Sequence, residues 1–78
     1  MEAEVKVLFF GAAQEATGRH EETIRAGDTA SLRRIITGKY PSLSLIPFRM
    51  ALNRTLLKED TDLEKNDIIA ILPPFKGG

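Results

Sequence analysis

The run Ile68-Ile69-Ala70-Ile71-Leu72, followed at once by Pro73-Pro74, constrains this chain more than any other stretch. Five apolar residues with no polar residue among them read as a strand covered on both faces, near the middle of a sheet. Proline has no backbone N–H, so the ladder must stop at Pro73. The proline pair also pushes Leu72 and Pro73 toward extended or polyproline geometry. The chain therefore leaves the sheet stiff and straight, with only Phe75, Lys76, Gly77 and Gly78 to follow.

One other stretch is apolar on both faces. Over residues 4–10, Val5, Val7 and Phe9 share one face, and Lys6, Leu8 and Phe10 the other. Lys6 marks the wet face, which leaves Leu8 and Phe10 as apolar groups near the surface. These two strands come from opposite ends of the chain, yet both need central places, so they should lie side by side.

The remaining segments fit around that pair. Gly11 ends the first strand, and residues 12–16 suit a short helix closed by Gly18 at C′. Residues 20–26 carry the charge of an edge strand, antiparallel to the first. Asp28 or Thr29 caps the main helix, whose apolar side is Leu32, Ile35, Ile36 and Tyr40. Pro41 stops it. A loop over 42–48 leads to a third strand over 49–53, a turn at Asn53-Arg54 and a short strand at Leu56-Leu57. Residues 58–66 are charged and irregular, with one helical turn expected over 62–65. The expected core is Val5, Val7, Phe9, Leu32, Ile35, Ile36, Met50, Leu52, Ile69 and Ile71. The fold class is α+β, a mixed sheet with one main helix packed across it, the β-grasp or ubiquitin-like arrangement. One β-grasp domain should occupy residues 1–74, with a flexible C-terminal diglycine tail over 75–78.

Composition narrows the chemistry. The 78 residues hold no cysteine, one histidine (His20), and eleven basic against eleven acidic side chains. That removes disulfides, thiolate metal sites and a thiol nucleophile together, and leaves no histidine-based dyad or metal cluster. A balanced charge offers no footprint for nucleic acid or an anionic membrane. No apolar run approaches a membrane span and no signal peptide precedes the first strand, so a cytoplasmic location is expected. So little catalytic hardware suits a carrier, a modifier or a binding module better than a complete enzyme.

The Gly77-Gly78 end then needs a reason, since glycine loses the most entropy on ordering and gives nothing to pack. A backbone without Cβ can enter a narrow channel and deliver a terminal carboxylate into another protein's active site. A frayed end or an expression scar is the alternative. Chance places two glycines at a terminus in roughly 0.5% of chains, at a frequency of about 7%, which favours the functional reading. Leu8, Phe10 and Leu72 should share the wet face near the root of that tail, an apolar surface for a partner.

Pro73-Pro74-Phe75-Lys76-Gly77-Gly78 resembles the Pro-Pro-x-x-Gly-Gly end of the molybdopterin synthase small subunits, the MoaD-type ubiquitin-like sulfur carriers of the MoaD/ThiS superfamily. Residues 5–10 (Val-Lys-Val-Leu-Phe-Phe) are similar to that family's first strand, and Ala51-Leu52-Asn53-Arg54-Thr55-Leu56 to its Ala-x-Asn-x-x-Leu segment. The family often has arginine where Gln14 stands, and Phe75 is bulkier than its usual aliphatic. The resemblance implies a role in molybdenum cofactor biosynthesis. An adenylating enzyme of the ubiquitin-activating type would use ATP and Mg²⁺ to activate Gly78, the chain itself binding no cofactor. A sulfur donor protein would displace AMP to leave a thiocarboxylate. Pro73, Pro74, Phe75, Lys76 and Gly77 would thread into the synthase large subunit, where sulfur passes to a pterin precursor. The resemblance also adds Leu56 to the partner surface. The small subunit would be non-catalytic, its reactive end finished by its partners. A protein modifier or tRNA-thiolation carrier would use the same activated Gly78; a non-catalytic β-grasp interaction module would not use it.

Overall fold

The computed structural model describes residues 2–74. In chain order the elements are β1 (Ala3–Phe9), α1 (Ala12–Thr17), β2 (Glu21–Ala26), α2 (Thr29–Lys39), a 3-10 helix (Pro41–Leu45), β3 (Arg49–Leu52), β4 (Thr55–Leu56) and β5 (Ile68–Leu72). The five strands form one sheet in the order β2-β1-β5-β3-β4. β1 and β5 run parallel, with Val7 opposite Ile69 and Phe9 opposite Ile71. β1–β2, β3–β5 and β3–β4 are antiparallel. The two strands that are apolar on both faces thus take central places, and charged β2 takes an edge. This is the expected β-grasp arrangement of a mixed sheet with a helix across it.

One face of the sheet carries the core. Val5, Val7, Phe9, Ile24, Ala26, Met50, Ile69 and Ile71 meet Leu32 and Ile36 of α2, with Ala13, Leu43 and Leu63 closing the margins. Asp28 caps α2 by accepting a hydrogen bond from the Ser31 N–H at 2.8 Å. Gly18 takes the left-handed C-cap of α1 at φ 72°.

Ile35, expected in the core, is 38% exposed. At about 100° per residue, Thr29, Leu32 and Ile36 share an arc of about 60°, and Ile35 falls about 60° outside it. A single helix on a small sheet buries only that narrow arc. Thr29 is fully buried, because its hydroxyl donates to Asp60 at 2.8 Å and accepts from the Thr61 N–H at 3.0 Å. Leu52 is half-buried rather than fully enclosed. The expected loop after Pro41 contains the 3-10 helix, with Leu43 buried and Leu45 facing solvent. The helical turn expected over 62–65 does not form. There Asp62 bridges to Asp28 and the Leu63 N–H donates to the Gly27 carbonyl at 3.0 Å. Pairing with the chain before α2, together with burial of Leu63, outweighs a local turn. The tail over 75–78 lies outside the described residues.

Candidate functional site

Alternation along the strands gives the sheet a second face, opposite α2. On β1 it carries Lys6 and Leu8, on β5 Ile68, Ala70 and Leu72, on β3 Arg49 and Ala51, and on β4 Leu56. Register lines up one row across four strands: Leu8 opposite Ala70, Ala70 opposite Ala51, Ala51 opposite Leu56. Two alanines therefore form a low floor between two leucines about 14 Å apart, three strand spacings of about 4.8 Å.

Phe10 lies one residue beyond β1, and its N–H donates to the Ile71 carbonyl at 3.1 Å, so the ladder continues to it. Phe10 is 43% exposed, with Leu56 at 44% and Ile68 at 42%. Leu8, Phe10, Asn53, Arg54, Ile68 and Ala70 line a shallow depression of about 410 Å³. Three large apolar side chains left this open on one face make an exposed apolar patch, the kind of feature that marks interaction surfaces in general.

The sequence-derived docking residues take different places on this face. Leu8 and Phe10 meet in the depression. Leu72 is half-buried beside them on β5, and Leu56 stands at the far end of the alanine floor, two strands beyond β5. Pro73, half-buried, and Pro74, exposed, follow directly at the end of β5. Phe75, Lys76, Gly77 and Gly78 lie outside the described residues. Sequence reasoning missed Ile68, Ala70, Ala51 and Arg54. Period two counted back from Leu72 would have found Ile68 and Ala70, whereas Ala51 and Arg54 need the β3–β5 register.

Asn53 fixes one rim of the depression. Asn53 and Arg54 have φ of 48° and 76°, as a two-residue type I′ hairpin requires. The Asn53 side chain accepts from the Ile68 N–H at 2.9 Å and donates to the Asp67 carboxylate at 3.0 Å, and its own N–H donates to the Ile68 carbonyl at 2.8 Å. The β3–β4 turn is thereby tied to the first residue of β5. Basic groups flank the apolar floor: Arg54 in the depression, exposed Arg49 on β3, and Lys6 at 4.0 Å from Glu21.

The perturbed titratable groups lie on the other side of the sheet. Glu22 shares a face of β2 with Ile24 and Ala26, so it faces α2. It accepts from Lys39 and from the Tyr40 hydroxyl, with Arg19 at 3.8 Å. Burial raises its carboxyl, but the two hydrogen bonds and the lysine and arginine charges outweigh that and hold it below its ordinary value. Tyr40 is raised by burial and by donation to Glu22, and Lys39 is raised chiefly by its bond to Glu22. The Tyr40 ring also stands edge-on to Phe9, at 5.9 Å between centroids. This cluster joins β2 to the end of α2. Among the described residues, no grouping of histidine and carboxylate side chains could hold a metal ion, and no helix is long and apolar enough to cross a membrane.

The ThiS family model matches residues 7–78. The molybdopterin synthase sulfur carrier subunit of Caenorhabditis briggsae is 41% identical, over 95% of this chain and 96% of that protein. The solution structure of small archaeal modifier protein 1 from Methanosarcina acetivorans superposes with a TM-score of 0.87 at 28% identity, covering 100% of this chain and 99% of that one. A chain in the complex of subunits 1 and 2 of molybdopterin-converting factor from Helicobacter pylori 26695 superposes with a TM-score of 0.72 at 32% identity, with both chains fully covered.

Proposed function

The chain belongs to the ThiS family, and from that premise we propose that it is the sulfur-carrier subunit of a molybdopterin synthase. The relative of that name in Caenorhabditis briggsae supports the role, and the two-subunit factor of Helicobacter pylori supports a second subunit as partner. The observation that carries the reading is the shared position of two features at the end of central β5. The apolar depression lies on one face of that strand, and Pro73-Pro74 continues from it. A partner that covers the face is then well placed to receive the terminus.

Gly78 is the reacting residue. A carboxylate resists nucleophiles, so an adenylating partner first joins it to AMP, expelling pyrophosphate from ATP. Hydrosulfide-level sulfur from a donor then attacks the acyl carbon; the C–S bond forms, the C–O bond to AMP breaks, and a thiocarboxylate remains. This chain contributes position and the reactive end, while its partners contribute the catalytic groups. In the synthase, Phe75, Lys76 and Gly77 follow Pro73 and Pro74 into the large subunit and sulfur passes to a pterin precursor.

The likeness to small archaeal modifier protein 1 favours a second reading, in which activated Gly78 is joined to lysines of other proteins. One experiment separates the two. The protein is incubated with its cognate activating enzyme, ATP, Mg²⁺ and sulfide, and its intact mass is measured. The carrier reading expects a sulfur-for-oxygen exchange at the C-terminus. Adenylation without sulfur exchange, and attachment of the protein to lysines once a cell extract is added to the same mixture, would replace it by the modifier reading.

A further inference from the structure

We propose that Gly11 is a positioning residue for the C-terminal end: its bare Cα is the seat against which Pro73 turns the chain out of the sheet. The inference rests on the carrier reading for its consequence, though not for its geometry. Phe9 pairs with Ile71, and the Phe10 N–H reaches the Ile71 carbonyl, so Gly11 comes out beside Pro73. A Cβ on Gly11 would stand 2.9 Å from Pro73 Cγ and 3.7 Å from Pro73 Cδ. At Gly18 and Gly38 a Cβ would meet nothing within 4 Å, so the crowding belongs to this position. Gly11 also has φ 56° and ψ −129°, a conformation that L side chains avoid.

Neither partner can yield by rotating a side chain. The Pro73 ring is closed onto its own backbone nitrogen, so moving it moves the chain. The Gly11 carbonyl accepts from Gln14 at 3.0 Å and Glu15 at 3.2 Å, which fastens it to α1 and so to buried Ala13. Pro73, with no N–H to anchor it, is the side that gives. Gly78 lies five residues beyond Pro73, up to about 17 Å away when the chain is extended. A change of direction at Pro73 therefore moves the point and the heading from which the last residues set out toward a partner's channel.

The test is a double-mutant cycle of Gly11→Ala and Pro73→Ala, read as sulfur-for-oxygen exchange on the activating enzyme at saturating carrier, with affinity measured separately. Gly11→Ala should keep its affinity, because the docking side chains are untouched. Its saturated rate should fall roughly tenfold to a hundredfold, the scale of an ångström-level misplacement. An alanine in place of Pro73 has no Cγ, so adding Gly11→Ala to Pro73→Ala should cost no further rate. A wild-type rate for Gly11→Ala would overturn the proposal. So would an equal loss in both backgrounds, the result expected if the strained turn into α1 were the cause. In the unaltered protein, nuclear Overhauser contacts between the Gly11 α-protons and the Pro73 γ-protons are expected, and their absence would also overturn it. If the unaltered protein gains no sulfur, the carrier reading fails, while these contacts still judge the seat.

Discussion

Single side chains in this domain differ most by which face of an element they occupy. Ile71 is fully buried between β1 and β3, under α2. Ile71→Ala should destabilise by about 2 to 5 kcal/mol, from lost burial and an unfilled cavity. In so small a domain that is a large part of the total, about 5 to 15 kcal/mol. Ile35 looks equivalent in sequence, but it lies off the buried arc of α2. Ile35→Ala should change stability by less than about 1 kcal/mol, since alanine's helix preference offsets part of the lost contact. Urea unfolding of both variants checks the pair, and equal losses would mean that α2 sits rotated from its described orientation.

Between elements, two couplings carry predictions. The Glu22 cluster ties β2 to the end of α2. Its carboxyl is held below the ordinary glutamate value of 4.5. The unfolded chain therefore binds the proton more readily, so the cluster's stabilisation is present above that value and fades as pH falls through the lower folded value. Urea midpoints taken from about pH 7 down to about pH 3 should decline more steeply for the parent than for Glu22→Gln. Identical slopes would remove the cluster from acid stability. Lys39 and Tyr40 are both raised, so their share persists at neutral pH and is lost only in alkali. The second coupling is the face shared by β1, β5, β3 and β4. Phe10 is half-exposed at its end, so Phe10→Ala should leave the domain folded yet weaken binding to the activating enzyme and large subunit about tenfold, or ~1.4 kcal/mol each. Unchanged affinity for both partners would take this face out of the docking account.

For the whole molecule, the division of labour between body and terminus makes a separate prediction. The body over 2–74 holds the core and the exposed apolar depression. A protein lacking Gly77 and Gly78 should keep its unfolding midpoint and its affinity for partners, but gain neither AMP nor sulfur. Intact mass and calorimetry on the same sample decide it. Sulfur uptake by the shortened protein would place the chemistry on another residue and end the carrier reading.

Strand placement was legible because it follows from hydrophobic pattern alone. A stretch that is apolar on both faces has no stable place at a sheet edge, so residues 4–10 and 68–72 had to meet in the middle. The proline stop after Leu72, the Asn53-Arg54 turn and a helix cap at Asp28 or Thr29 were equally local, each set by what one or two backbones can adopt, though only the structure chose Asp28. What the chain could not reveal by itself were features made by partners distant in sequence. Thr29 reads as a candidate helix cap, and its burial shows only when Asp60 and Thr61 satisfy its hydroxyl; Leu63 reads as part of a charged turn until Gly27 and Asp28 pair beside it. The alanine floor from Leu8 to Leu56 needs three strand registers at once. The contact of Gly11 with Pro73 exists only because β1 and β5 end together. Pattern and propensity act over a few residues and determine elements; burial and register act across the sheet, and only the assembled structure decides which elements share a face.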